Sequence, residues 1–235
     1  MVSLNSDGVV SGDTVNFVSA SAVFSDKNVA NDKLVTVSGI SLSGKDAGNY
    51  AYNASALTTA DITPKSITVT AIGQNKVYDA TLNAAVTLAS SGLVKGDSVT
   101  FTSAAALMDN KNVGTGKLVT VNGIGALGSD ALNYQLSNTS AIANATVTPR
   151  LITVTATGND KTFDGSTTDT VSLQSLGVIA GDSLSFASTS AKFANSAVGV
   201  NKVVTVSGVI DLGADAANYT VVNKTVTTMA TITPK

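Results

Sequence analysis

The chain has no His, no Cys, no Trp and no Glu, and Arg150 is its single Arg. All 16 acidic residues are therefore Asp, set against 14 basic residues. Without His or Cys there is no Ser-His-Asp triad, no thiol nucleophile, and none of the ligands that zinc, copper or haem usually require. Disulfides are impossible, so the fold must rest on packing and hydrogen bonds. Straight-chain polar residues that favour helices are scarce, while Val, Ile, Thr, Ser, Gly and Asn dominate; this composition predicts an all-β protein. Apolar stretches break after a few residues at Ser, Thr or Asp, which excludes a helical membrane span. A formal net charge of −2 offers no basic surface for nucleic acid or anionic lipid. The opening Met1-Val2-Ser3-Leu4-Asn5 has neither a basic start nor an apolar run, so it is not expected to be a signal peptide. If the protein is exported, this chain is expected to be an internal piece of something longer. With 43% apolar residues the composition is not that of a disordered chain.

What is present is a repeat. Ile62-Thr63-Pro64-Lys65, Val147-Thr148-Pro149-Arg150 and Ile232-Thr233-Pro234-Lys235 stand 85 residues apart (149 − 64 = 234 − 149 = 85). Gly12-Asp13, Gly96-Asp97 and Gly181-Asp182 keep step with them, as do Asn49-Tyr50, Asn133-Tyr134 and Asn218-Tyr219. Thr36-Val37-Ser38-Gly39, Thr120-Val121-Asn122-Gly123 and Thr205-Val206-Ser207-Gly208 complete the set. The organisation read from this is a shortened first repeat, residues 1–65, and two full ones, 66–150 and 151–235. The first lacks counterparts of about the first twenty residues of the second. A second frame, with each domain beginning near Ser3 or Thr87, is equally open.

Within a repeat the period is two. Ile67, Val69 and Ala71 alternate with Thr68 and Thr70, and Lys117-Leu118-Val119-Thr120-Val121 precedes an Asn122-Gly123 turn. About six short strands per repeat, apolar on one face and Thr/Ser on the other, predict small antiparallel β-sandwich domains of Ig-like or related type. Thr-Pro-Lys and Thr-Pro-Arg at Pro64 and Pro149 join one strand to the next with almost no slack. Domains so joined are expected end to end, as a rod.

Each full repeat opens with a strand and then Lys76-Val77-Tyr78-Asp79-Ala80 or Lys161-Thr162-Phe163-Asp164-Gly165. The second continues with Lys111-Asn112-Val113-Gly114-Thr115-Gly116-Lys117 and Asp130-Ala131-Leu132-Asn133-Tyr134. This order of motifs, over the whole chain, resembles the YDG-type repeat, a relative of the MBG-type domains of very large bacterial surface proteins. Many of those are similar to filamentous-haemagglutinin adhesins secreted by a two-partner route. The motif residues are Tyr78, Asp79, Phe163 and Asp164, with Asn49, Tyr50, Asn133, Tyr134, Asn218, Tyr219, Pro64 and Pro149. Departures occur: the triplet is Tyr-Asp-Ala once and Phe-Asp-Gly once, and Asp26-Lys27-Asn28-Val29 becomes Asn195-Ser196-Ala197-Val198 in the third repeat. The loss of the Tyr hydroxyl and of the Lys argues against a chemical role and for packing and turns. The resemblance implies a stalk or repeat region of an extracellular adhesin.

Other candidates yield structural readings. Asp13, Asp97 and Asp182 stand singly, without the Asp-x-Asp spacing of a Ca²⁺ loop, and are expected to cap turns by accepting backbone N–H bonds. Paired carboxylates for glycoside hydrolysis need a deep cleft, which small repeated cores do not offer. Lys33, Lys117 and Lys202 share the core face of their strands; either they crosslink to Asn49, Asn133 and Asn218 as isopeptides or they snorkel to water, the second being expected. Tyr50, Tyr134 and Tyr219 either form a sugar-stacking row or tuck into the core with the hydroxyl on backbone, again the second. Asn53, Asn138, Asn144, Asn218 and Asn223 lie in Asn-x-Ser/Thr triplets, most of them by chance in so Asn- and Thr-rich a chain.

The function expected is that of spacer or stalk repeats of a bacterial cell-surface adhesin, projecting a distal binding region, with no catalysis and no cofactor or metal. The alternatives are a carbohydrate- or biofilm-matrix-binding module, or homotypic adhesion through exposed sheet edges. Expected partners are neighbouring repeats of the same long chain, with surface glycans or matrix polysaccharide, and no nucleic acid or membrane insertion.

Overall fold

Alternation of Val with Thr makes strands of one buried and one wet face, and the second halves of the long central strands alternate in this way, as at Val119-Thr120-Val121 and Val204-Thr205-Val206. A computed structural model describes residues 2–235. In the first repeat lie β1 (Asn16–Val18), β2 (Ser21–Phe24), β3 (Ala30–Ser38), β4 (Ser41–Ser43) and β5 (Ser55–Ile62). The second holds β6 (Lys65–Ile67), β7 (Thr70–Gly73), β8 (Lys76–Val77), β9 (Val86–Ala89) and β10 (Thr100–Thr102). It continues with β11 (Ala105–Met108), β12 (Gly114–Asn122), β13 (Gly125–Leu127), β14 (Tyr134–Leu136) and β15 (Ser140–Thr148). The third repeats this pattern as β16 (Arg150–Ile152), β17 (Thr155–Gly158), β18 (Lys161–Thr162), β19 (Val171–Gln174) and β20 (Ser185–Ala187). Its second half is β21 (Ser190–Phe193), β22 (Gly199–Ser207), β23 (Ile210–Leu212), β24 (Tyr219–Val221) and β25 (Thr225–Thr233). The only helical elements among the described residues are three single 3-10 turns, Ala47–Asn49, Ala131–Asn133 and Ala216–Asn218. The protein is all-β.

The main sheet of each full repeat has four strands, ordered β11-β12-β15-β8 and β18-β25-β22-β21, whereas the first repeat has three, β2-β3-β5. Val119, Val121, Val204 and Val206 on the inner face are fully buried, each worth about 1.5–3 kcal/mol of apolar burial. In the first repeat the buried set shrinks to Val35, Val37 and Ile40, with Val2, Leu4 and Ala56 packed beside them.

Two expectations are corrected. Full repeats hold ten strands each, because many are two to four residues long. Nor is the pairing wholly antiparallel: β6 runs parallel to β14 and β16 to β24, while β8 and β18 add in parallel to the ends of β15 and β25. A strand that enters each repeat directly after the Pro joint aligns with the strand following the Asn-Tyr motif, and alternation does not reveal that direction.

Each long strand starts with a bulge, where the register shifts between Ala30 and Lys33, Gly114 and Lys117, or Gly199 and Lys202. The bulge residue needs a left-handed backbone. Gly116 supplies it in the second repeat, while Asp32 and Asn201, at φ 49° and 48°, supply it in the others, these being the non-Gly residues that tolerate that region best.

The chain forms two compact units. One contains the chain up to Val69 with Ala89–Thr102 and Gly125–Thr139; the other contains Thr70–Leu88, Ser103–Ile124 and Ser140–Lys235. The second repeat contributes to both, so the compact units do not follow the sequence repeats. Each Pro joint, with the contacts around it, lies inside one unit.

Candidate functional site at the repeat joints

The recurring residues converge where one repeat meets the next. At the first joint, Gly96 (φ 97°) turns the chain so that Asp97 N donates to Val94 O. The 3-10 turn Ala131–Asn133 follows Asp130 and delivers Tyr134 to the same spot. The Tyr134 hydroxyl donates to Asp97 Oδ2 at 2.6 Å and accepts from Val94 N at 2.8 Å. Asp130 Oδ2 accepts from Ser98 N at 2.9 Å. One carboxylate oxygen of each Asp thus remains, and both receive Lys27 Nζ of the preceding repeat, at 2.5 and 2.6 Å. Beside them Asn133 Oδ1 accepts from Val29 N (2.8 Å) and its amide donates to Asn28 Oδ1 (3.1 Å).

The second joint repeats this geometry. Lys111 Nζ lies 2.7 Å from Asp182 Oδ1 and 3.0 Å from Asp215 Oδ1. Tyr219 donates to Asp182 Oδ2 (2.6 Å), Ser183 N donates to Asp215 Oδ2 (2.9 Å), and Asn218 bridges Val113 N and Asn112 Oδ1. A further member is present here. Tyr78 is fully buried, donates its hydroxyl to Asp182 Oδ2 at 2.8 Å, and packs edge-on to Tyr219 with centroids 5.5 Å apart. The Lys111 ammonium sits 5.8 Å from the Tyr78 ring centre, within range of a cation–π attraction.

Charge and burial set the ionisation of these groups. Lys27 holds Asp97 and Asp130 below the usual carboxylate range, helped by the Tyr134 hydroxyl and Ser98 N respectively. Asp215 is lowered by Ser183 N and by Lys111. Burial pushes Asp182 up, yet Lys111 and the two Tyr hydroxyls outweigh it and leave it lowered. The amines of Lys27 and Lys111 are raised by the same carboxylates. Burial, then Asp182, pushes Tyr219 up to about 12. At neutral pH each joint is a fixed ion cluster of one cation and two anions.

Several sequence expectations change here. Asp13, Asp97 and Asp182 do not cap turns: their carboxylates receive Tyr hydroxyls, and Asp97 and Asp182 the Lys ammonium also. Backbone N–H bonds go instead to Asp46, Asp130 and Asp215, which accept from Thr14, Ser98 and Ser183 N, 32 residues earlier in the chain. Lys33, Lys117 and Lys202 do not approach Asn49, Asn133 or Asn218; their amines bond seven residues back, to Asp26, Asn110 and Asn195. The Tyr134 and Tyr219 rings are buried and not displayed. In the first repeat Tyr50 makes the same bonds, to Asp13 Oδ2 and from Val10 N, and Asn49 is exposed. Asp79 and Asp164 shape the turns after β8 and β18, accepting from Lys76 and Thr81 N, and from Lys161 and Ser166 N; Lys161 first, then the turn, lowers Asp164 to about 2. Pro64 and Pro149 lie in the joints themselves. Asn138 and Asn223 clamp the backbone of Val69 and Val154, each both donating and accepting.

Sequence reasoning missed Lys27, Lys111, Asp130 and Asp215. Their signal was the recurrence of Lys-Asn-Val in one repeat and of Asp-x-x-Asn-Tyr in the next.

A repeat protein of all-β type, whose motif residues meet at the joints, is the class that fold and site define. The YDG domain matches residues 2–59, 63–141 and 148–229, and the chain belongs to that family. No curated protein matches it. Among solved structures, the EC1-3 fragment of Drosophila N-cadherin is similar at 6% identity and a TM-score of 0.25, over 97% of this chain and 91% of that one.

Proposed function

We propose that the chain is a spacer segment of a bacterial cell-surface adhesin, its repeats joined end to end as a semi-rigid rod that carries a distal binding region away from the cell. The observation that carries this reading is the recurrence of one latch at both joints: a Lys held by two Asp of the next repeat, an Asn of that repeat bonded to a backbone N–H and an Asn side chain of the preceding one, and a Pro link without slack. An ion cluster tied into hydrogen bonds resists bending better than a flexible linker, because rotation breaks several bonds at once. Motif residues spent on joining repeats are not available to a ligand, and the inward-turned Tyr rings favour the spacer over a sugar-stacking row. The partners are then neighbouring repeats, and the location extracellular.

Small-angle scattering tests this. At roughly 30 Å per domain of this size, the intact chain is expected to reach on the order of 90–100 Å, and Lys27→Met/Lys111→Met to give a broader distance distribution. A compact globule overturns the reading.

A further inference from the structure

At the second joint two edge strands leave apolar side chains in water. β8 ends at Val77, which pairs with Thr148 of β15, and β16 begins at Arg150, directly after Pro149. The alternation of β16 turns Ile152 into the core, 2% exposed, and Leu151 outward, 68% exposed; Val77 is 54% exposed. Val77, Thr148, Pro149, Arg150, Leu151 and Thr220 together line an open cleft of about 610 Å³, a size typical of small-molecule sites. Arg150 is the one charged residue of that lining and the one Arg of the chain. Its Nε donates to Gly177 O at 2.9 Å, which orients the guanidinium. Among the described residues that is the only bond of its side chain, so the terminal N–H groups are left unpaired within the protein.

The fold does not require this lining. At the first joint β6 pairs with β14 in the same register as β16 with β24, yet Lys65, Ser66 and Gln135 hold the places of Arg150, Leu151 and Thr220. A solvent-facing Leu is therefore not needed to build a joint. Nor does any Lys, Asp, Tyr or Asn of the latch line the cleft.

We propose that this cleft binds a small unbranched aliphatic carboxylate, its head paired with the terminal N–H groups of Arg150 and its chain laid over Val77, Pro149 and Leu151. The planar guanidinium matches a carboxylate with two parallel hydrogen bonds, and covering the exposed Leu and Val removes apolar surface from water. The lining also selects against other classes of ligand. Beyond Arg150 its side chains offer only two hydroxyls, and that of Thr148 already donates to Lys76 O. A peptide or a sugar would give up more hydrogen bonds to water than those side chains return. The inference goes beyond the spacer reading and is independent of it, since neither the latch nor the shape of the chain enters the test.

The probes are butyrate, hexanoate and octanoate, titrated into the whole chain with amide shifts followed by NMR. Expected is saturable binding with shifts centred on Arg150, Leu151 and Thr220. A fully buried methylene is worth up to about fourfold in affinity, so octanoate is expected to bind at least about tenfold more tightly than butyrate. Octanol, with the same tail and no charge, is expected to bind at least about tenfold more weakly than octanoate. Arg150→Gln is expected to bring octanoate down to the level of octanol. Leu151→Ser, an exposed change that copies Ser66 and leaves the Gly177 bond in place, is expected to flatten the dependence on chain length. Equal affinity for octanol and octanoate overturns the proposal, as does unchanged octanoate binding in both variants. Shifts spread over other exposed apolar residues such as Leu107 and Ile142 mark general adsorption and overturn it too.

Discussion

Lys111 and Asp182 stand 71 residues apart, in different repeats, and their charged atoms meet at 2.7 Å. The carboxylate side chain is 2% exposed and the Lys side chain 35%, whereas at the first joint the equivalent Lys27 is 61% exposed. The two latches share a Lys, two Asp, an Asn and a Tyr in unequal solvent, and the second adds Tyr78. Removing the cation from Asp182 leaves a buried anion held only by hydroxyls, and an uncompensated buried charge is costly.

Lys111→Met is therefore expected to lower the thermal midpoint more than Lys27→Met does. At about 1 M salt, where charges are screened beyond about 3 Å, the Lys27→Met effect is expected to fall to less than about half, while that of Lys111→Met persists. Calorimetric scans of both variants in low and high salt make the comparison.

The joints are expected to weaken at both ends of the pH scale. Asp97, Asp130, Asp182 and Asp215 are depressed in the folded protein, so their contribution is complete above the unfolded carboxylate value and is lost as pH falls through the folded one. Lys27 and Lys111 are raised, so theirs is complete below the unfolded lysine value and is lost at still higher pH. Thermal midpoints should be flat between roughly pH 5 and 9 and fall on either side, with the acid fall smaller in Asp97→Asn/Asp130→Asn.

The turn after β8 forces Ala80 to φ 62°, where the third repeat has Gly165 at 81°. Relief of a left-handed alanine is worth about 1–2 kcal/mol, and the added freedom of the unfolded chain costs about 0.4–1 kcal/mol. Ala80→Gly is expected to stabilise by about 0.5–1 kcal/mol, and Gly165→Ala to destabilise by a similar amount, since open space surrounds its Cβ position. Chemical denaturation of the two variants decides this.

Asp169 stands where the second repeat has Ala84. Its Oδ1 accepts from Thr170 N, but Oδ2 is buried without a partner. Asp169→Ala is expected to stabilise by about 1–3 kcal/mol at neutral pH, the cost of an unsatisfied buried group. Burial raises the Asp169 pKa, so the charged form is the disfavoured one; the gain should shrink as the carboxylate protonates in acid. A denaturation series at falling pH that shows a constant difference contradicts this account.

The β class, the repeat length and the buried faces were legible because they are local: Val119 and Val121 alternate with Thr120 over a few residues. The joints were not. Lys27 meets Asp97 and Val29 meets Asn133, 70 and 104 residues away, and no local pattern encodes such a meeting. The change of Tyr78 to Phe163 implies, on sequence alone, that the hydroxyl does little, yet that hydroxyl contacts the next repeat. Nor does alternation give strand direction, so the parallel entry of β6 and β16 had no sequence signature.

The latch is directional: Lys27 and Lys111, each with the Asn that follows it, belong to the earlier repeat of a pair, and the two Asp, the Tyr and the bridging Asn to the later one. In the third repeat the side that carries the Lys is altered at three positions together, with Phe163 for Tyr78, Ser196 for Lys111 and Ala197 for Asn112. Such a repeat keeps the Asp, Tyr and Asn that receive the repeat before it but lacks the Lys, Asn and Tyr hydroxyl that Lys111, Asn112 and Tyr78 offer to a successor. On the spacer reading proposed above, an array written in these units carries its own punctuation: recombination that shuffles whole repeats would lengthen a latched run, and a unit of the third kind would leave the next joint without its Lys.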